Sequence, residues 1–315
     1  MAKPLTYNAT VVERLDLTSS LSVFKIRPDE AIDQQPRFIP GQYMVLGLNN
    51  EQKPELGSVR RPMSIASAPE ETAAFEFYIR YVSHPESENP LTHLLWRIRT
   101  GDRIYLGPRI TGNFTLPDTI GADDPRLKVL VAAGTGLAPF LSMVRHVVLT
   151  GSEPNLSRYL ILHGASYPAD LGYRDELEQL VAQHGLHYRC SVSRPKEAPD
   201  WQGDSGRVED YFLPDHLTAL ERDLGLEPGG FNPRQVAVFI CGLQGTIGST
   251  VTRLLPRGFV PENRRLEKAL EVPEGAAASL FFEQYDTTPV VDLKDEALMA
   301  DLRAQLHGAL ARLAS

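Results

Sequence analysis

Cysteine is scarce in this chain: Cys190 and Cys241 are the only two among 315 residues. Two thiols exclude a disulfide framework and cannot supply the four thiolates of an iron–sulfur cluster. No apolar run approaches the ~20 residues of a membrane span. The N-terminal stretch MAKPLTYNATVVERLD lacks the apolar core of a secretory signal, which predicts a cytoplasmic protein without membrane insertion. Positive charge is not in excess either. Lys and Arg number 32 against 40 Asp and Glu, a net charge of −8 that disfavours general nucleic-acid binding. A G-x-S-x-G nucleophile elbow is missing. His184-Gly-Leu-His187 has a metal-like spacing but straddles a helix end and a strand start, with no Cys or further His nearby in sequence; no metal site is expected. No internal repeats occur. What is present, 42% hydrophobic and 23% charged residues, describes a packed globular chain of about two ordinary domains.

The two parts differ in texture. Residues 6–17, 21–27, 42–48, 62–67, 75–82 and 103–106 read as short strands separated by turn residues such as Pro40-Gly41 and Thr100-Gly101-Asp102. In the fifth run Phe75, Phe77, Ile79 and Tyr81 share one face. With one helix over 91–97, these runs predict a six-stranded antiparallel β-barrel domain over residues 1–118. A polar linker spans 118–125. Strands then alternate with amphipathic helices, which predicts a Rossmann-like α/β domain with a parallel sheet over 126–260. Residues 261–315 form an extension: a Pro/Ala stretch, the aromatic run Ser279-Leu-Phe-Phe-Glu-Gln-Tyr285, and a final amphipathic helix from about 295 to 313.

The α/β part is organised around VLVAAGTGLAPFLSM, residues 129–143. A buried strand, the turn Gly134-Thr135-Gly136 and a helix follow one another, and free amides at such a helix start suit an anion. Three further apolar runs end on small or polar residues at His163, Ser193 and Cys241. Ligands of parallel sheets bind at the carboxyl ends of the strands, so four strands deliver such groups to one edge.

In the β part the sharpest run is Arg60-Arg61-Pro62-Met63-Ser64-Ile65-Ala66-Ser67. A strand-borne arginine can pair with phosphate through its planar fork. With this run the chain resembles the bacterial-type ferredoxin/flavodoxin–NADP⁺ reductases, which join an FAD-binding antiparallel β-barrel to an NADP(H)-binding α/β domain. The resemblance implies FAD contacts at Arg61, Pro62, Met63, Ser64, Tyr78, Ile79, Arg80, Pro90, Leu91, Thr92 and Thr135. Met63 stands where an aromatic residue usually covers the flavin. It implies NADP contacts at Gly134, Thr135, Gly136, Ala165, Ser166, Ser193, Arg194, Arg207, Cys241 and Gly242. Ser166 departs from the arginine that bacterial members often carry for the adenosine phosphate, which leaves that clamp to Arg194 and Arg207. Thr111-Gly-Asn-Phe-Thr115 resembles the end of the barrel.

The resemblance further implies an oxidoreductase that moves hydride between NADP(H) and FAD, the two rings stacked at the domain interface. Single electrons are then exchanged with ferredoxin or flavodoxin. Ser64 and Cys241 would act catalytically by orienting the ring pair. A basic patch for an acidic carrier is expected from Arg97, Arg99, Arg103 and Arg109, whose other reading is a solvated rim. Two alternatives stand beside this: an NADH-dependent reductase component of a multi-component oxygenase, and a non-catalytic flavin-containing assembly subunit. In the extension, Tyr285 is the first choice to cover the flavin, with Phe281 and Phe282 behind it; the competing reading makes all three core anchors. The last helix would dock on its own molecule or on the partner in a homodimer.

Overall fold

The computed structural model describes residues 4–32, 36–284 and 288–314. They fall into two compact units, Met1–Asp118 with Leu137–Pro154, and Thr119–Gly136 with Asn155–Ser315.

The first unit holds strands β1 (Ala9–Thr18), β2 (Leu21–Pro28), β3 (Tyr43–Asn49), β4 (Ser58–Ser64), β5 (Phe75–Arg80) and β6 (Arg103–Leu106). Helices α1 (Leu91–Leu95), α2 (Leu116–Thr119) and α3 (Ala138–Thr150) accompany them. The strands pair antiparallel in the order β4-β3-β6-β1-β2-β5. Beyond β4, the Ile65 amide donates to Gln42 O and the Ala66 amide to Glu76 O in β5. The two edges are thereby bridged and the sheet closes into the expected barrel. Its interior is Val11, Phe24, Ile26, Leu46, Phe75 and Phe77 among others.

Strand β4 begins four residues before the apolar pattern suggested, at Ser58 rather than position 62. Arg60, Arg61 and Pro62 are exposed on an edge strand. There a proline needs no ladder partner and charge faces water. In β5 the alternation holds for Phe75, Phe77 and Ile79, but Glu76 and Tyr78 are buried too. Helix α3 accounts for Glu76: Arg145 Nη1 lies 2.7 Å from Glu76 Oε1, and Ser142 Oγ donates to Ser67 O at 2.8 Å. The helix that follows the glycine turn is thus fastened to the barrel.

The second unit runs β7 (Leu127–Ala133), β8 (Tyr159–Ala165), α4 (Arg174–His184), β9 (His187–Val192), β10 (Asp204–Ser205), α5 (Pro214–Asp223), β11 (Val236–Cys241), α6 (Gln244–Leu254), α7 (Arg264–Ala269), β12 (Leu280–Glu283) and α8 (Glu296–Ala314). All six strands are parallel, in the order β10-β9-β8-β7-β11-β12. Strands β7, β8 and β11 are buried nearly throughout, hence their continuous apolar runs. From β7 the chain steps outward through β8 to β10, then returns to β11 on the other side of β7. The strand order reverses between β7 and β11, which places a binding crevice beyond their carboxyl ends.

The tail differs from its expected course. Leu280–Glu283 is the sixth strand of the sheet, paired in parallel with β11, rather than a free segment past the last strand. Phe281 is 1% exposed and stacks on Phe239 at 4.9 Å. It is a core side chain and does not cover a flavin; Phe282 is half-buried against the core that holds Val238, Ile240 and Leu280. Tyr285 lies outside the described residues. Helix α8 docks on its own unit, burying Met299, Leu302 and Leu306 in the core that holds Phe259, Leu266 and Leu270; Ala309 is buried as well. Arg303 Nη1, 2.9 Å from Glu271, ties its edge.

Candidate functional site

On the first unit, the register of β4 against β3 sets Arg61 opposite Leu46 and Ser64 opposite Tyr43. Arg61 and Pro62 are exposed, Met63 packs partly against the barrel core, and Ser64 is buried. Beside Arg60 and Arg61 opens a cavity of about 390 Å³, lined also by Ser58, Ser87 and Asn89. Among the described residues no carboxylate pairs with either arginine; Arg61 Nη1 donates only to Arg60 O, at 2.8 Å. A pair of uncompensated guanidinium groups at an open cavity fits a phosphate. Asn89 leads into the Pro90-Leu91-Thr92 turn that starts α1, where Leu91 and Thr92 are buried and Thr92 Oγ1 accepts from the Val82 amide at 3.4 Å. On β5, Tyr78 and Ile79 are buried and Arg80 is half-buried.

Arg97, Arg99 and Arg109 are exposed, and among the described residues no ion pair engages them. Arg103 is different. Its Nη1 donates to Asp29 Oδ1 at 2.6 Å, and Nη2 bonds Oδ2. Asp29 neutralises it, so Arg103 leaves the basic group.

On the second unit, the crevice between β7 and β11 is made by backbone approach. A Cβ at Gly136 would meet Cys241 O at 2.0 Å, and one at Gly242 would meet the Ala133 Cβ at 2.6 Å. Only glycine lets these two strand ends close together, which brings Gly134, Thr135 and Gly136 beside Cys241 and Gly242. Cys241 is fully buried. The parallel register sets it opposite Glu283, whose Oε2 lies 3.7 Å from Cys241 Sγ. Glu283 did not stand out in the sequence. The signal was there, an apolar run ending in a polar residue as in the other strands, but its aromatics pointed to a covering role.

At the ends of β8 and β9 and just past them lie Ala165, Ser166, Ser193 and Arg194, joined by backbone bonds from Ser193 N to Ala165 O and from Arg194 N to Ser166 O. Arg194 Nη1 donates to the Tyr167 hydroxyl at 2.8 Å. Arg207 is 71% exposed, with Glu209 Oε1 3.8 Å from its Nη1. It borders a cavity of about 270 Å³ that Ser191 also lines. The Ser191 hydroxyl is buried and has no hydrogen-bond partner among the described residues. The unpartnered Ser191 hydroxyl and the exposed Arg207 offer donors to a polar guest, with Arg189, Asp204 and Asp210 also in the lining. His163 behaves otherwise than its strand-end position suggested. It is fully buried, its Nδ1 sits 3.2 Å from the Tyr188 hydroxyl, and burial pushes its imidazole down to about 3. It is a neutral core side chain at ordinary pH.

Comparison with known proteins places these two halves. Residues 130–251 match the oxidoreductase NAD-binding domain. Ferredoxin–NADP reductase B of Sorangium cellulosum is 34% identical over 204 residues, 64% of this chain and 73% of that protein. The phenol hydroxylase P5 protein of Acinetobacter pittii is 27% identical over 277 residues, 86% of this chain and 67% of that protein. Among solved structures, a ferredoxin NADP⁺ reductase from Neisseria gonorrhoeae with bound FAD and NADP has the same fold. Its TM-score is 0.67 at 21% identity, covering 88% of this chain and 97% of that one. The fold and the site thus define an oxidoreductase of the two-domain flavin- and nucleotide-binding class. The chain belongs to the ferredoxin–NADP reductase family.

Proposed function

We propose that this protein is a ferredoxin–NADP⁺ reductase, an FAD flavoprotein that exchanges electrons between NADP(H) and a ferredoxin or flavodoxin. The observation that carries it is the crevice at the strand-order reversal. Gly136 and Gly242 press two strand ends together beside a buried thiol, and exposed arginines stand at the neighbouring strand ends. When bound, the flavin supplies the conversion between two-electron nicotinamide chemistry and one-electron carriers.

The chain's own residues bind and orient. Arg61, with the amides of Leu91 and Thr92, holds the FAD pyrophosphate through charge and unsatisfied first-turn N–H groups. Met63, Ser64, Tyr78, Ile79 and Arg80 position the flavin. Thr135 of the glycine turn is a further flavin contact. Gly134, Gly136 and Gly242 admit the nucleotide backbone closely, and Arg194 and Arg207 take its 2′-phosphate. Cys241 orients the nicotinamide, with Glu283 fixing the thiol. Arg97, Arg99 and Arg109 offer positive charge to an acidic carrier, against the protein's net charge of −8.

One spectrum tests this. The purified protein should be yellow with flavin absorbance, and anaerobic NADPH should bleach it. Ferredoxin or flavodoxin should then restore the colour. A colourless protein, or one that NADPH leaves yellow, refutes the reading. A second reading, an NADH-dependent reductase component of an oxygenase, draws on Ser166 and on Glu197, whose carboxylate lies 4.0 Å from Arg194. Faster bleaching by NADH than by NADPH would favour it.

A further inference from the structure

A nucleotide 2′-phosphate that reaches Arg194 meets a guanidinium that already has a carboxylate beside it. The backbone sets this up. The ladder between β8 and β9 continues past both strands, with Ser193 N donating to Ala165 O at 2.9 Å and Arg194 N to Ser166 O at 3.1 Å. Tyr167 therefore comes next to Arg194, and its hydroxyl accepts from Arg194 Nη1 at 2.8 Å. The short turn Pro195–Glu197 folds back, closed by Glu197 N donating to Arg194 O at 3.2 Å. It delivers Glu197 to the same hydroxyl: Tyr167 donates to Glu197 Oε2 at 2.8 Å, while Glu197 Oε1 lies 4.0 Å from Arg194 Nη1. One tyrosine hydroxyl thus links the cation to a carboxylate three residues away.

We propose that Glu197 sets the preference between NADP(H) and NAD(H), as the resident counter-ion of Arg194; this rests on the nucleotide reading above. Both side chains are more than half exposed, 57% and 59%, so the pair is loosely held and can part. A 2′-phosphate competes with the Glu197 carboxylate for the guanidinium and is repelled by it. A 2′-hydroxyl does neither and can donate to the same carboxylate, the usual way an acidic residue favours NAD. Glu209 plays no such adjustable part at Arg207, because it is 3% exposed and stays with the core. Ser166 adds no compensating charge.

The test is calorimetric titration of the flavin-loaded full-length protein with NADP⁺ and with NAD⁺. Wild type, Glu197→Gln and Arg194→Ala are compared. Glu197→Gln should tighten NADP⁺ about two- to five-fold, the reach of an exposed ion pair, without tightening NAD⁺. The gain should shrink at high ionic strength. A merely structural Glu197 would move both nucleotides together or neither. If Arg194→Ala weakens NADP⁺ while Glu197→Gln leaves the NADP⁺/NAD⁺ ratio unchanged, the role of Glu197 is overturned and the nucleotide site stands. If Arg194→Ala leaves NADP⁺ affinity intact, the phosphate is not held there, and both the proposal and the Arg194 assignment fall.

Discussion

In the proposed reading, Arg207 and Cys241 do two different kinds of work at the nucleotide site. Arg207 is 71% exposed, with the buried Glu209 carboxylate 3.8 Å from its Nη1. If Arg207 holds the 2′-phosphate as proposed, its loss removes a charge-assisted bond that a 2′-hydroxyl does not make. Arg207→Ala should therefore weaken NADPH about ten-fold, more with Arg194→Ala, and barely affect NADH, as read by the KM for each nucleotide. Equal loss for both nucleotides would contradict the assignment. Cys241 is buried beside Glu283, and in the proposed reading it acts by placement. Cys241→Ala should slow flavin reduction in stopped-flow mixing while leaving nucleotide affinity nearly unchanged. An unaltered reduction rate would make the thiol simple packing.

At the scale of elements, β12 and α8 turn the last third of the second unit into part of the sheet and its cover. β12 shields the β11 edge, and α8 lays Leu302 and Leu306 on the same core. Cutting the chain after Pro261 would strip a parallel strand and leave β11 as a bare, apolar edge, an invitation to aggregate. Point substitution is the cleaner probe. Leu306 is fully buried, so Leu306→Ala should cost about 2–5 kcal/mol of stability, measured by urea unfolding. A cost below about 1 kcal/mol would mean that α8 is a loose appendage, since even Ile→Val in a packed core costs as much.

For the whole molecule, the clearest pH signature comes from a fully buried histidine. Burial holds the His163 imidazole at about 3 in the folded state, against about 6.5 when exposed. Between those values the unfolded chain binds a proton that the folded one refuses. Stability therefore rises with pH through this window and is lost as pH falls below about 6.5, by up to about 1.4 kcal/mol per pH unit. Urea midpoints between pH 6.5 and 5 should show this slope, and His163→Asn should flatten it. A wild-type midpoint that does not move with pH would show that His163 is not buried neutral. Low-pH loss here reports on the fold rather than on catalysis.

What the sequence by itself determined is local and repetitive. Alternating apolar residues such as Phe75, Phe77 and Ile79 declare a strand. A buried run ending in Gly134-Thr-Gly136 declares a turn into a helix, and the change of rhythm near residue 126 declares two architectures. These follow from side-chain period and backbone sterics, which act over a few residues. The family motifs were legible in the same way, because each is a short contiguous run. Only the tertiary structure decided the rest. The pairing of Cys241 with Glu283 depends on which strand adds beside β11. The engagement of Arg103 with Asp29 joins residues far apart in the chain. The bridging of Arg194 and Glu197 through Tyr167 needs two strand ends in register. Neutral His163 and core-bound Phe281 were misplaced by sequence for the same reason. Burial is set by everything that packs around a residue, and no local pattern carries that information.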